Sequence, residues 1–214
     1  MTDSQIDYVA PITCQKCKRL AAFIDSHRAQ KPDWHNNPVP SFGLVSAPVL
    51  ILGLAPGLRG ANATGRPFTG DYAGQVLYNA LLKTGFASGT YQATADDDIR
   101  LTDVRIANAV RCVPPQNKPN AAEIAACRPY LSEELARMKK LRVILTLGRI
   151  AHETILRHFN LRLKDFPFNH NCLHHLPNRM KILSSYHCSR YNVQTNRLSL
   201  EMFDEVCVHL RSLT

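Results

Sequence analysis

The amino-acid sequence predicts an α/β fold in which a parallel sheet is covered by crossover helices. Short apolar runs alternate along the 214 residues with segments whose apolar residues recur at helical spacing. The first run, residues 49–52, is apolar on both faces, as in a parallel strand buried between two layers. No internal repeat, low-complexity tract or clear linker interrupts the alternation, and the length suits one core. We therefore predict a single domain over residues 1–214.

Four strands are predicted, and helical patterning separates them. The strands cover residues 48–57, 103–112, 142–148 and 179–187. A helix over residues 73–84 follows the first strand, because Leu77, Ala80 and Leu81 recur on one of its faces. The closing helix has an apolar residue at every fourth position, which predicts that it packs on the sheet: Leu198, Met202, Val206 and Leu210.

The segment after the second strand has its own helix signals. Asn120 and Glu123 have the spacing of a capping box, which predicts a helix that begins there. Proline lacks the backbone N–H that a helix interior needs. We therefore expect Pro129 to break or kink this helix, and a second stretch to end near Lys140.

Composition and charge narrow the class of protein. Lys and Arg number 26 against 17 Asp and Glu, which gives a net charge of +9, and the excess is spread along the chain. Such a balance fits a phosphate-rich partner, although a merely basic protein has the same total. The sequence contains no run of 18 uncharged apolar residues, so we expect no membrane span. The N-terminus lacks a basic start and an apolar core, so we expect no signal peptide and a cytoplasmic protein.

Polar and glycine-rich segments stand where three of the predicted strands end. They are "GLAPG" at residues 53–57, Asn108 in the second strand, and "SYHCS" at residues 185–189. In open α/β sheets, ligands bind beyond the carboxyl ends of the strands, so we expect one site there. Each feature also has a plainer interpretation: "GLAPG" as an ordinary turn, His187 as a core histidine, and Asn108 as a buried amide satisfied by backbone.

Asp71 is the one charged residue of the turn "FTGDYAG", residues 68–74. Its position just before a predicted helix favours a capping role, because Asp side chains accept hydrogen bonds from the first turn. Its position after the glycine-rich loop also favours chemistry on a ligand. A carboxylate has two oxygens, so the two roles do not exclude each other.

The seven cysteines suggest a metal site more than a disulfide framework, given the expected compartment. Cys14 and Cys17 form a CxxC pair, and fourteen residues separate Cys112 from Cys127. Four thiolates suit structural zinc or a [4Fe–4S] cluster, and the spacing alone does not choose between them; unpaired buried thiols are the third alternative. The other three cysteines are interpreted as structural. The segment "HNCLHH", residues 170–175, is interpreted as a solvated loop.

Taken together, these motifs resemble the uracil-DNA glycosylase superfamily, most closely its iron–sulfur-containing family 5, or B-type. The resemblance is carried by "GLAPG", "GRPFTGD", "IANAVRC", "SYHCSRYNVQT" and the four cysteines, from Cys14 to about Thr195. It implies a three-layer α/β/α sandwich with a central four-stranded parallel sheet. It also implies a [4Fe–4S] cluster on Cys14, Cys17, Cys112 and Cys127, and base excision without a redox step.

The resemblance assigns roles to individual residues. The implied base-binding residues are Leu54, Ala55, Gly57, Phe68 and Asn108, with Phe68 stacking on the extruded base and Asn108 bonding its edge. Asp71 and His187 match the family's catalytic acid and histidine. The segment 188–194 is expected to be a loop that enters the duplex, with DNA contacts from Ser185, Ser189, Arg190, Tyr191 and Asn192.

Three positions bear on how the family pattern applies to this chain. Leu54 stands where the related family 4 enzymes carry a glutamate, which is the family 5 pattern. Cys188 replaces the proline usual in the last motif, which removes a fixed backbone φ at the start of the DNA-entering segment. Gly57 stands where uracil-specific members have a bulky aromatic, so we expect an open pocket and weak discrimination against larger bases.

The sequence therefore predicts a monofunctional DNA glycosylase that leaves an abasic site. It would act on flipped-out uracil and on hypoxanthine or xanthine, as a nucleoid-associated monomer that binds DNA and no membrane. Three alternatives remain. The first is a narrow enzyme or binder of uracil in single strands. The second is a catalytically weak sensor of damaged DNA that carries the iron–sulfur cluster. The third is a zinc-stapled module that binds nucleic acid.

Overall fold

The computed structural model describes residues 10–214. The first nine residues, where the expectation of no signal peptide applies, lie outside the described part. The strands are β1 Val49–Gly53, β2 Ala87–Ser88, β3 Arg100–Leu101, β4 Val104–Asn108, β5 Val143–Leu147, β6 Cys172–His175 and β7 Lys181–Ser185. The helices are α1 Lys18–Gln30, α2 Ala61–Thr64, α3 Tyr72–Lys83, α4 Ala121–Arg137, α5 Arg149–His158, α6 Arg190–Gln194 and α7 Leu200–Ser212.

The central sheet has five strands in the order β4-β1-β5-β7-β6, so the expected count of four was wrong. The first four strands in this order are parallel, and β6 pairs antiparallel with β7 at the edge. The missed strand is the "HNCLHH" segment, which was interpreted as a loop. Its histidines hide the strand pattern, but Leu173 lies opposite Leu183 and packs against the core. β2 and β3 form a separate two-stranded ribbon.

Helices cover both faces of this sheet, which confirms the layered α/β/α arrangement. Successive side chains of β1 point to opposite faces. On one face Val49 and Ile51 belong to the core cluster that includes residues of α3 and α7. On the other face Leu50 and Leu52 pack with residues of α4 and α5. All four side chains have no exposed surface, as expected for a strand between two layers.

Helix α4 runs through Pro129 without a break and ends at Arg137, before the expected end at Lys140. Its start matches the expectation, because Asn120 and Glu123 form the capping box. The proline removes one intrahelical hydrogen bond, but the residues after it are anchored by burial. Leu131 is fully buried and Glu134 is 4% exposed, so the part of the helix that follows the proline is held in place.

The strands are shorter than the apolar runs that predicted them, and the surplus residues become loops. β1 ends at Gly53 and β4 at Asn108, so "LAPG" and the segment that leads to Cys112 leave the sheet at its carboxyl edge. Backbone bonds still join them, because Val110 N–H donates to the Leu54 carbonyl at 2.9 Å. Within the described residues, no helix has the length and apolar character required to cross a bilayer.

Candidate active site

A cavity of about 660 Å³ opens at the carboxyl edge of the sheet, between β1, β4 and the segment after β7. We call it the central cavity. Nine residues predicted from the sequence line it: Leu54, Ala55, Gly57, Phe68, Asp71, Asn108, His187, Ser189 and Arg190. Sequence reasoning missed Arg59, Tyr72 and Asn117, which also line it. The expectation that the strand-end motifs converge on one site is therefore confirmed.

Asn108 supplies an unsatisfied acceptor to the central cavity. Its side chain is 3% exposed, and its Oδ1 has no hydrogen-bond partner among residues 10–214. A buried polar atom without a partner is costly, so it indicates a place for a ligand's donor. Gly53 makes this position possible: a Cβ there would lie 2.5 Å from Asn108 Oδ1 and 2.6 Å from Phe68 Cζ. Gly53 is thus a functional residue that spacing alone did not reveal.

Phe68 lies in a turn whose backbone is unusual for a large residue. Its φ is 52°, in the left-handed region, although the side chain is 7% exposed and rigidly enclosed. The Tyr91 hydroxyl donates to the Phe68 carbonyl at 3.3 Å and accepts from Gly70 N–H at 3.4 Å. The Phe68 ring stacks on the His187 imidazole, with centroids 5.9 Å apart. The turn therefore presents a flat apolar surface beside Asn108.

A buried ion pair supports the same turn from behind. Arg66 makes two hydrogen bonds to the Asp97 carboxylate, at 2.6 and 2.8 Å, and its Nε donates to Thr69 Oγ1 at 2.8 Å. Its guanidinium also lies over the rings of Phe42 and Tyr78. Burial alone would raise the pKa of Asp97, but the bonds from Arg66 and from backbone N–H groups lower it below its ordinary value.

Asp71 caps helix α3, which confirms the plainer interpretation of the turn. Its Oδ1 accepts a hydrogen bond from Gly74 N–H at 2.9 Å. Its Oδ2 lies against two glycines, because a Cβ on Gly57 or Gly60 would come within 2.9 or 2.4 Å of that oxygen. One oxygen is thus used by the helix, and the other is free to face a ligand in the central cavity. The catalytic role remains a prediction.

His187 is held at the wall of the central cavity in a poorly solvated position. Desolvation lowers the pKa of its imidazole, and the nearby Asp71 carboxylate opposes this effect without cancelling it. The side chain therefore favours the neutral form, which has one donor and one acceptor nitrogen. Asn192 fixes the backbone here, because its Nδ2 donates to the His187 carbonyl at 2.8 Å.

The segment expected to be a DNA-entering loop contains a short helix instead. Ser189 caps α6 by accepting from Asn192 N–H at 3.3 Å, which places Tyr191 on the exposed face with 71% of its surface accessible. The Arg190 guanidinium lies 5.4 Å from the Tyr72 ring centroid, at the mouth of the central cavity. Ser and Asn side chains that bond backbone groups locally explain the helical turn.

Two residues of the last motif lie deeper than expected. Ser185 is fully buried, and its hydroxyl donates to the Tyr186 carbonyl at 2.9 Å, so its DNA contact stays a prediction. Cys188 is also fully buried, and its thiol donates to the Ala73 carbonyl at 3.4 Å. The cysteine that replaces the usual proline therefore ties the His187 segment to the first turn of α3.

The four cysteines of interest line one small cavity next to the central cavity. Cys14 and Cys17 approach it from the start of α1, Cys112 from the segment after β4, and Cys127 from α4. Burial first, and then the neighbouring thiols, raise the pKa of Cys112 to about 12. Ala55 packs against this cluster and also lines the central cavity.

The chemistry of this donor set fits a metal centre. Four thiols from three separate segments line one cavity. Thiolates are ligands of structural zinc and of [4Fe–4S] clusters, so the residue types fit either group. In a cluster, each thiolate would bind a different iron atom.

Comparison with known proteins supports one family. The model of the uracil DNA glycosylase superfamily matches residues 40–211. A type-5 uracil-DNA glycosylase of Thermus thermophilus is 44% identical over 206 residues, covering 94% of this chain and 93% of the relative. The type-5 enzyme of Pyrobaculum aerophilum is 34% identical, with 91% and 86% covered. A type-4 enzyme of the same organism is 38% identical over only 58% of this chain and 55% of its own.

Proposed function

Because this chain belongs to the uracil-DNA glycosylase superfamily, we propose that it hydrolyses the N-glycosidic bond of deaminated bases flipped out of DNA. The product would be an abasic site and a free base. The observation that carries the proposal is the unpartnered Asn108 Oδ1, buried beside the Phe68 ring in the central cavity. A base in a stacked duplex cannot reach this depth, so the nucleotide must leave the helix first.

Asn108 and Phe68 supply base recognition in this proposal. Uracil carries an N–H donor next to a carbonyl, and the Asn108 amide offers the matching acceptor and donor. The Phe68 ring stacks on the face of the base, a contact that any base with a flat π-surface makes. Leu54, Ala55 and Gly57 line the same wall, and we assign their backbone N–H groups as donors to a second carbonyl of the base.

Asp71 and His187 supply the electrostatics of bond cleavage. As the bond breaks, positive charge develops on the sugar and negative charge on the leaving base. We assign the Oδ2 of Asp71 to the sugar cation or to the attacking water, since its other oxygen is occupied by α3. The neutral His187 imidazole donates one hydrogen bond to the departing base. Leu54, in the first loop, cannot supply a carboxylate.

The central cavity also supports breadth of substrate. At about 660 Å³ it exceeds the space that one pyrimidine requires, so uracil and the purine products hypoxanthine and xanthine are all expected substrates. The sequence suggested that the missing side chain of Gly57 leaves space for larger bases, but Gly57 also has a second effect. Its missing side chain makes room for Asp71 Oδ2, so part of the space gained is used by the catalytic acid.

The experiment compares purified protein on duplexes that hold one uracil, hypoxanthine, xanthine or thymine in the same context. Abasic products are cleaved by alkali, and free base is measured separately. We expect excision of uracil, together with measurable excision of hypoxanthine or xanthine. Strict uracil specificity would overturn the breadth but leave the glycosylase assignment intact. Binding that shifts the duplex without releasing any base would overturn the enzyme and favour a damage sensor.

We also propose that Cys14, Cys17, Cys112 and Cys127 hold a [4Fe–4S] cluster, because these four thiols line one cavity and match the cysteines of the iron–sulfur-containing family that the sequence resembles. The cluster would cross-link α1, α4 and the end of β4, and it supplies no chemical step. Anaerobically purified protein should be brown and contain about four irons per chain. Colourless protein with one zinc would contradict this. Cys17→Ala should lower the melting temperature and DNA affinity more than the cleavage rate.

A further inference from the structure

A second cavity, of about 350 Å³, adjoins the central cavity on the side of β5 and β7. We call it the flanking groove. It shares Leu54 and His187 with the central cavity, so the two are separated only by these side chains. Its other principal lining residues are Leu147, Arg149, Ile150, Phe168, Tyr186 and Arg197. Asn192, which the resemblance predicts to contact DNA, also lines this groove, whereas Arg149 and Arg197 were not predicted.

Two guanidinium groups lie over aromatic rings in the flanking groove. Arg197 lies 4.7 Å from the Tyr186 ring centroid, and Arg149 lies 5.2 Å from that of Phe168. Both arginines are exposed, and within residues 10–214 neither forms a salt bridge. The rings therefore hold two exposed guanidinium groups in the groove without neutralising their charge.

Most other residues that line the flanking groove are apolar, and His187 and Asn192 are the polar exceptions among those described. Leu54, Leu147 and Ile150 form its walls, and Ile150 retains 43% of its accessible surface although it is a large aliphatic residue. Among the described residues, none with an acidic side chain lines the groove. Apolar walls with exposed guanidinium planes match a nucleobase better than a phosphate alone, because unstacked bases stack on arginine planes as well as on aromatic rings.

We propose that the flanking groove binds the base of the nucleotide next to the flipped one, on the same strand. The inference rests on the proposed function, since the central cavity identifies the strand that passes the groove. The same arginines then lie beside that nucleotide's phosphate. Two successive nucleotides are unstacked in this arrangement, so single-stranded or frayed DNA is accepted readily.

The test uses single-stranded pentanucleotides with a central deoxyuridine. In two of them, the base on the 5′ or the 3′ side is removed by a tetrahydrofuran spacer, which keeps every phosphate. Excision rates are measured under single-turnover conditions. Binding is measured in parallel with a 2′-fluoroarabino analogue of the central nucleotide, which resists cleavage. Removing the base on one side should weaken binding at least roughly 5-fold, which corresponds to the smallest free energy usual for stacking of one base. Removing the base on the other side should weaken binding less.

Variants separate base stacking from charge. Arg149→Ala and Arg197→Ala should weaken binding of the intact pentanucleotide and abolish its dependence on the flanking base. Arg197→Lys should fail to restore that dependence, because an ammonium keeps the charge but has no plane on which a base can stack. Arg142→Ala is the matched control. It removes an exposed arginine in a groove at the amino end of the sheet, and should leave the dependence unchanged.

The outcomes distinguish this inference from the proposed function. Equal binding and excision with and without either flanking base would overturn the flanking groove as a base site. Full rescue by Arg197→Lys would also overturn it, because the groove would then bind a phosphate only. Flank-dependent binding of the uncleavable analogue without excision of uracil would support the groove and contradict the glycosylase assignment.

Discussion

At the scale of single residues, Asp71 combines two roles that the sequence left open. Its Oδ1 caps α3, and its Oδ2 lies against Gly57 and Gly60 at the central cavity. The capping bond fixes the orientation of the carboxylate, which spares the reorganisation that an electrostatic catalyst would otherwise require. Helix capping therefore serves the proposed chemistry here.

Asp71→Asn separates the two roles, because asparagine caps helices about as well as aspartate but carries no charge. We expect the single-turnover rate of uracil excision to fall at least roughly 10²-fold, the usual scale for one electrostatic group. DNA affinity and melting temperature should change little. Asp71→Ala is the control, since it should lower both the rate and the melting temperature. Near-normal excision by Asp71→Asn would reduce this residue to a helix cap.

The glycines of the site show what a sequence alone cannot supply. "GLAPG" identified a loop that approaches a ligand, but it did not show which atoms each glycine accommodates. Gly53 makes room for Asn108 and Phe68, whereas Gly57 makes room for Asp71. A bulky Gly57→Tyr change therefore does not test pocket width alone, because its Cβ already approaches Asp71 Oδ2. Such contacts join residues distant in the chain, so no local pattern encodes them.

At the scale of elements, the turn at residues 66–70 depends on a hydroxyl that belongs to no motif. Tyr91 comes from the segment before β3, and its hydroxyl bonds the Phe68 carbonyl and Gly70 N–H. Its ring stacks on Tyr78 at 4.6 Å, which holds the hydroxyl in place. Tyr91 is thus a positioning residue: it acts on the base through the strained backbone of Phe68.

Tyr91→Phe removes both hydrogen bonds and keeps the ring. We expect kcat to fall roughly 10-fold with little change in KM, because two bonds of about 1 kcal/mol each hold Phe68 and the adjacent Asp71 in place. Tyr78→Phe is the matched control, since its hydroxyl donates to the Pro67 carbonyl at 3.0 Å, where the proline ring already fixes φ. It should lower the melting temperature but leave kcat within about twofold. Equal kcat losses in both variants would indicate general destabilisation.

Helix α5 carries a buried histidine, His152, next to the edge strand β6, and the protonation of this histidine is linked to the stability of the fold. His152 Nε2 donates to the Phe166 carbonyl at 2.9 Å, so the neutral ring accepts from Ser184 Oγ at its Nδ1, at 2.8 Å. Desolvation lowers the pKa of His152 below the ordinary value of 6.5. The unfolded chain therefore binds this proton more readily than the folded chain, and protonation favours unfolding.

Stability should accordingly be highest above the unfolded histidine pKa and fall as the pH decreases from about 7 to 5. Each proton taken up on unfolding contributes a slope of at most about 1.4 kcal/mol per pH unit. His152→Gln keeps a donor for the Phe166 carbonyl and does not titrate, so its melting temperature should depend less steeply on pH. Thermal unfolding of both proteins across this pH range checks the prediction. If the melting temperature of the variant depends on pH as steeply as that of the wild type, His152 does not contribute to the pH dependence of stability.

At the scale of the whole molecule, the sequence predicted the layers and the convergence of motifs but not every boundary. The buried run of β1 and the capping box at Asn120 are local signals, and both were confirmed. The break expected at Pro129 and the loop expected at β6 were wrong because burial on the sheet and pairing with β7 decide these conformations. Long-range contacts override local propensity in these two cases. Helix α6 has a local signal that was overlooked, because Ser189 caps it by accepting from Asn192 N–H.

The two ends of the sheet carry basic groups that are expected to act differently on DNA. Arg59 and Arg190 lie at the mouth of the central cavity, at the carboxyl ends of the strands. Lys139, Lys140 and Arg142 line a groove of about 580 Å³ at the opposite, amino end. We expect a strand whose base enters the central cavity to pass the first group, so phosphate contacts at the carboxyl end should contribute to the productive complex and those at the amino end should not.

The salt dependence of binding measures this asymmetry. Each phosphate contact contributes about −0.9 to the slope of log K against log salt for duplex DNA. Arg190→Ala should therefore make the slope less steep by roughly one, and should weaken binding most at low salt. Arg142→Ala removes the same charge from the other end of the sheet and should leave the slope unchanged. Because both variants lower the net charge of +9 equally, this difference would show that net charge alone does not set the slope. Titrations between 50 and 200 mM salt, roughly the range over which such contacts are lost, decide between them. Equal slopes for both variants would mean that DNA is held by overall charge and not by the rim of the central cavity.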